Sequence, residues 1–174
     1  MADRSRLTGI LLVGGASTRF GSPKALARIG GCTLAEIGWE TLAFCDERIA
    51  VGKEADGLGL PFPLVDDGTD VRAPIAGVVA GLRAAANELS VVLPVDTPRV
   101  TPDTLAVLAD ACGDAATPQT GPLPGAYRRT ALPALQEALS AGRLSLRDVL
   151  ARLDTLVIDV DADLLLNVNT PDDL

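Results

Sequence analysis

Histidine is absent from this 174-residue chain. That removes Ser-His-Asp and Cys-His nucleophiles and every His-ligated metal site. A divalent cation would have to be held by oxygen, which selects magnesium or a similarly hard ion. Aromatic residues make up only 3% of the chain, so the core must be aliphatic. The three cysteines, Cys32, Cys45 and Cys112, are odd in number and widely spaced. They read as reduced, small apolar residues rather than as a disulfide frame or a zinc site. Basic charge is scarce, with 15 Lys and Arg against 23 Asp and Glu and a net charge of −8. That balance argues against nucleic-acid and anionic-membrane partners, which want a basic surface. There is no long apolar span and no signal-peptide pattern near Met1, so a soluble cytoplasmic protein is expected. The length suits one domain over residues 1–174 with a sizeable core.

Against that acidic background the segment 7–24, LTGILLVGGASTRFGSPK, stands out. A continuously apolar run (Ile10, Leu11, Leu12, Val13) stops at Gly14-Gly15, as a buried parallel strand does. Paired glycines let the backbone turn sharply and bring its N–H groups close to a ligand. Successive inward N–H groups form an anion nest, and Arg19 and Lys24 add two positive charges to the same loop. The residues themselves predict a phosphate cradle at the carboxyl end of the first strand of an open α/β sheet. The spacing is neither G-x-G-x-x-G nor a P-loop.

Further along, apolar strands alternate with helical patterns. Residues 33–44 open with a capping box, Thr33 with Glu36. Strands are expected at 47–51, 63–65 and 90–95, and helices at 74–86 and from 101 to about 111. Gly77 and Gly81, four apart, fall on one helix face and permit close packing. Residues 25–31 read as a short connector. The second half predicts strands at 115–118, 125–128 and 156–160 and helices at 129–141 and 145–153, with room for antiparallel pieces. The alternation predicts a three-layer α/β/α sandwich with a mostly parallel sheet.

Three carboxylates and two amides end such elements. Asp96, in LPVDTP, suits a magnesium ligand at a strand end, or equally a cap for the helix that follows. Asp66-Asp67-Gly68 reads locally as a turn, and so do Asn167 and Asn169 ahead of the last segment.

The order G-G-x-S-x-R-x-G-x-x-K over residues 14–24 resembles the opening signature of nucleotidyltransferases with a nucleoside-diphospho-sugar transferase (Rossmann-like) fold. Pro94-Val95-Asp96-Thr97-Pro98, the segment APIAG at 73–77, PLPGAYR at 122–128 and the ending NVNTPDDL at 167–174 narrow the resemblance to the molybdenum cofactor guanylyltransferase family. It spans nearly the whole chain. The resemblance implies transfer of GMP from GTP to the phosphate of molybdopterin, with Mg²⁺ as cofactor and molybdoenzymes as maturation partners. It implies a metal at Asp96 and catalytic charge at Arg19, Lys24 and Asp96. It implies nucleotide contacts at Leu12, Val13, Gly14, Gly15, Lys24, Asp67 and Asp96, with Asp66 as the neighbour that could be meant instead of Asp67. Arg143, Asn167 and Asn169 are implied to border the pterin, with Ser145 and Arg147 in the same Arg-bearing loop. Three positions depart from the family pattern: Val13 for Ala, Pro23 for Asp, and Gly52 for an Asn that contacts the base. A related transferase using CTP or a sugar phosphate, or a non-catalytic nucleotide-binding protein, remain the competing expectations.

Overall fold

The structure is a computed structural model, and it describes residues 6–15 and 21–174. The first strand, β1 (Leu7–Leu12), is buried along nearly its whole length. A two-residue hairpin follows, β2 (Arg28–Ile29) and β3 (Cys32–Thr33), with Gly30 at φ +60° in its turn. Helix α1 (Leu34–Thr41) leads to β4 (Glu47–Gly52) and β5 (Leu64–Asp66). Helix α2 (Pro74–Ala84), β6 (Leu89–Pro94), α3 (Pro102–Asp110), β7 (Ala115–Pro118) and β8 (Gly125–Arg128) come next. Helices α4 (Leu132–Ser140) and α5 (Leu146–Leu150) and strand β9 (Thr155–Ile158) complete the set.

Seven of these strands form one sheet in the order β5-β4-β1-β6-β8-β7-β9. Only β8 runs against the rest, pairing antiparallel with both β6 and β7. Residue alternation splits the core in two. Leu11, Val91 and Leu93 pack with Leu34 of α1 and Leu105 and Leu108 of α3. Ile10, Leu12, Val51 and Val92 pack with α2, α4 and α5 on the opposite face. The three-layer, mostly parallel expectation holds, and the antiparallel piece allowed for in the second half is β8. Two long predicted helices are shorter, each giving way to a 3-10 turn, Leu42–Phe44 and Arg129–Ala131. The predicted connector at 25–31 is instead the start of the β2–β3 hairpin, whose two-residue strands are too short to carry a periodic signal.

Local chemistry accounts for the helix starts. Thr33 and Glu36 close the expected capping box: Glu36 N donates to Thr33 Oγ1 at 3.1 Å, and Thr33 N to Glu36 Oε2 at 2.7 Å. Helix α2 presses on β1 through its two glycines. A Cβ at Gly77 would lie 2.9 Å from Leu12 Cδ2, and one at Gly81 2.6 Å from Ile10 Cγ2. Ile10 is fully buried and β-branched, so its methyl has little room to turn away. Gly81→Ala gains about 1 kcal/mol in helix propensity. It loses about 1–3 kcal/mol to overpacking, which wins because the collision is with a stiff side chain. A net lowering of Tm by a few degrees in a thermal melt is the expected result.

The chain steps outward from β1 to β4 and β5, then returns to lay β6 on the other side of β1. Strand order therefore reverses between β1 and β6. In open α/β sheets ligands bind beyond the carboxyl ends of strands at this reversal.

Candidate active site

A cleft of about 320 Å³ opens at that point. The carboxyl ends of four adjacent strands build its wall. Val13, Gly14 and Gly15 leave β1, and Val13 N donates to Val51 O at 3.0 Å, which keeps the chain extended for one residue past the strand. Gly52 and Lys53 leave β4, Asp67 leaves β5, and Pro94, Val95 and Asp96 leave β6. The N-terminal turn of α2, with Ala73, Pro74 and Gly77, lies across it.

At the β1–β6 end, Lys24 Nζ sits 3.7 Å from Asp96 Oδ2 and donates to Asn169 Oδ1 at 3.3 Å. These three residues are 72 and 73 positions apart in order (24, 96, 169) and meet only in the fold. The C-terminal segment is pinned there by its backbone, since Val168 N donates to Asp96 O at 2.7 Å while the Val168 side chain enters the core. Asp173 then accepts from the N–H groups of Asn169 and Thr170, at 2.9 and 2.8 Å, and those bonds hold its carboxyl below the usual range. Asp96 is not a helix cap: Thr101 caps α3, accepting from Thr104 N at 3.2 Å. Burial pushes the Asp96 carboxyl above its ordinary range, and the Lys24 ammonium partly opposes that.

At the β4–β5 end the alternation of strand residues decides between the two aspartates. Gly52 pairs with Asp66, so the next residues, Lys53 and Asp67, share one face. Lys53 Nζ donates to both Asp67 oxygens, at 2.9 and 3.0 Å, and to Thr69 O. Asp66 faces away and caps backbone instead, accepting from Glu54 N and Gly68 N at 2.7 Å each. Asp67 therefore lines the cleft and Asp66 does not. Three strand spacings separate Asp67 from Asp96, roughly 14 Å at the usual spacing.

Val13 and Gly52, two of the departures that the resemblance implies, meet in space. A Cβ at Gly52 would meet Val13 Cγ2 at 2.9 Å. The larger residue at 13 takes the space that a side chain at 52 would need. Pro23 stands just before a 3-10 turn, Lys24–Leu26, which sets Lys24 at the cleft. In the 122–128 segment, the fully buried Tyr127 donates its hydroxyl to Pro122 O at 2.6 Å, and a Cβ at Gly125 would sit 2.7 Å from the same oxygen. This knot holds the loop that carries Leu123 to the cleft.

The remaining candidates are dispersed. Arg19 lies outside the described residues, as do Ala16, Ser17 and Thr18 of the same loop. Asn167 is exposed beside Val168. Arg143 follows α4 and pairs with Glu137 at 3.6 Å, in neither cleft. Ser145 caps α5, accepting from Asp148 N at 3.2 Å. Arg147 lines a second hollow of about 270 Å³, between α5 and strands β7 and β9. Lys53 and Arg72 line the main cleft and were not singled out from sequence. Lys53 could have been noticed as a charge two residues beyond Val51, on an otherwise apolar parity.

Residues 9–156 match the family model described as the MobA-like NTP transferase domain. The chain belongs to the MobA-like NTP transferase family. Among relatives of this family, a protein of Chloroflexus aggregans named probable molybdenum cofactor guanylyltransferase is 33% identical, aligned over 97% of this chain and 91% of that protein. One of Deinococcus radiodurans with the same name is 34% identical, over 97% and 92%. The crystal structure of molybdopterin-guanine dinucleotide biosynthesis protein A from Archaeoglobus fulgidus superposes with a TM-score of 0.82 at 28% identity, covering 95% of this chain and 94% of that one. The resemblance read from the motifs is thereby borne out, and with it the nucleoside-diphospho-sugar transferase fold and the class of enzyme, a nucleotidyltransferase.

The donors suit a hard cation. Among the described residues there is no cluster of three or more His, Cys, Asp or Glu that could hold a metal by itself. Asp96 offers a carboxylate in the cleft, and Mg²⁺ binds to one such group when substrate phosphates and water complete its shell. Among the same residues no helix is long and apolar enough to cross a membrane.

Proposed function

We propose that this chain transfers GMP from GTP to the terminal phosphate of molybdopterin, acting as one catalytic unit over residues 1–174. The observation that carries this reading is the meeting of Lys24, Asp96 and Asn169 in the cleft that Gly14 and Gly15 line, at the reversal in strand order. The names borne by the relatives support the choice of substrates.

A phosphate oxygen of molybdopterin attacks the α-phosphorus of GTP, a new P–O bond forms, the α–β bridge breaks, and pyrophosphate leaves. The attacking monoester has a second pKa of about 6 and is already largely ionised at neutral pH. No general base is needed, in keeping with a chain that has no histidine. Alignment and charge neutralisation supply the catalysis. Lys24 and Arg19 bind the triphosphate, with the amides of Gly14 and Gly15 facing the same charge. Asp96 would hold Mg²⁺, which would supply positive charge to neutralise the α-phosphate and the leaving group. Leu12 and Val13 border the nucleoside, and Asp67 takes part at the far end. Asn169 borders the pterin, so that Lys24 joins the two substrates through it; Asn167, Arg143 and Arg147 serve the pterin only from outside this cluster. Molybdoenzymes that receive the finished cofactor are the partners this reaction implies.

Pyrophosphate release by the purified protein with Mg²⁺, GTP and molybdopterin tests the reading. Release that needs both substrates is expected. A thermal-shift panel in which CTP stabilises the protein and GTP does not would overturn the guanylyl assignment.

A further inference from the structure

We propose that Lys53 is a positioning residue for nucleotide selection, acting through Asp67; this rests on the nucleotidyl-transfer reading of the same cleft. Lys53 is buried, with 11% of its side chain exposed, and its ammonium has three acceptors: both Asp67 oxygens and Thr69 O. The two Asp67 oxygens lie side by side and share one side of the ammonium, and Thr69 O takes another, so its hydrogen bonds are directed at Asp67 and the loop behind it. Asp67 Oδ1 accepts from Lys53 and from Thr69 N at 3.1 Å, whereas Oδ2 accepts from Lys53 alone among the described residues. Asp67 therefore keeps an acceptor site on a carboxylate that lines the cleft and is only 8% exposed.

A charge so buried is costly unless paired, and Lys53 supplies the pairing. It does so from the end of the neighbouring strand, with Asp67 N also donating to Gly52 O at 2.9 Å. The Thr69 carbonyl ties the following loop to the same ammonium, and Arg72, further along that loop, is held by Asp56 at 2.8 Å. The cleft thus has two differently charged ends. At the β1–β6 end a lysine stands at the mouth, suited to phosphate. At the β4–β5 end, roughly 14 Å away, a neutralised and fixed carboxylate is suited to a hydrogen-bond donor of the nucleoside, a base N–H or a sugar hydroxyl. Lys53 makes that acceptor rigid without presenting a positive charge to the phosphates.

The test is a double-mutant cycle on nucleotide affinity, read by calorimetry with GTP, and with CTP beside it, in the presence of Mg²⁺. Lys53→Met and Asp67→Asn are each expected to raise Kd about tenfold or more, the worth of one charge-assisted hydrogen bond. The double variant is expected to be no weaker than either single one, because Lys53 acts through Asp67. It also removes both buried charges together, so it folds even if Lys53→Met alone does not. ITP, which lacks the exocyclic amine, and 2′-deoxy-GTP locate the donor. The nucleotide whose affinity is already low in the wild type and falls no further in Lys53→Met identifies the missing group.

Unchanged affinity in Lys53→Met or in the double variant would overturn the proposal. So would losses that multiply in the double variant, which would mean that Lys53 touches the nucleotide itself. A drop in Tm with Kd intact would reduce Lys53 to a purely structural role. Preference of the wild type for CTP would sink the guanylyl reading alone, and the Lys53 cycle would then be read with CTP.

Discussion

Asp96→Asn is expected to lower turnover about a hundredfold, a loss near 3 kcal/mol of transition-state stabilisation, while leaving the protein as heat-stable as the parent or more so. The two halves of this result have one cause. Burial raises the Asp96 carboxyl above its ordinary range, with Lys24 opposing. The folded state then holds that proton more tightly than the unfolded chain does, so stability falls as pH rises from the ordinary carboxylate range through the raised value. At neutral pH the ionised group is a standing cost to the fold. An amide of the same shape removes the cost and, with it, the charge that would hold a divalent cation. A melt and a steady-state assay on one preparation check both parts. The parent's melting temperature should also rise, relative to the variant's, as the pH is lowered toward the ordinary carboxylate range.

Lys24→Met should lower turnover by a similar factor, about a hundredfold, but with the opposite effect on the fold. Lys24 stands 3.7 Å from the Asp96 carboxylate and donates to Asn169. Removing it leaves a largely buried carboxylate without the ammonium that stands 3.7 Å from it, and that is unfavourable wherever Asp96 is ionised. The melting temperature of Lys24→Met should lie below that of the parent at neutral pH, whereas that of Asp96→Asn should not. Parallel changes in the two variants would mean that the charge balance between Lys24 and Asp96 does not set the stability of the site. Combining the substitutions should restore stability without restoring turnover, since neither member of the pair then carries a charge.

Much of the fold was legible because it depends on local pattern. Apolar runs ending in glycine, the Thr33–Glu36 box and the spacing of Gly77 and Gly81 each dictate structure within a few residues. The candidate site was legible in part for the same reason, since Gly14, Gly15 and Asp96 all follow apolar strands. What could not be read depends on pairing between distant segments. Asp66 and Asp67 are equivalent until the register of β4 and β5 is known, and then alternation assigns one to the backbone and the other to the cleft. Lys53 gains its meaning only from an aspartate 14 residues away, across a strand pair. The choice between cap and cleft for Asp96 needed the position of Thr101, which does the capping. Asn169 looked like a turn residue because its contact with Lys24 spans 145 positions.

A crystal structure with Mg²⁺ and a non-hydrolysable GTP analogue tests the central claim most directly. The account predicts the triphosphate against Gly14, Gly15 and Lys24, the cation on Asp96, and the nucleoside running toward Asp67. A nucleotide bound in the Arg147 hollow, or one that leaves Lys24 and Asp96 more than a water's reach away, would contradict it.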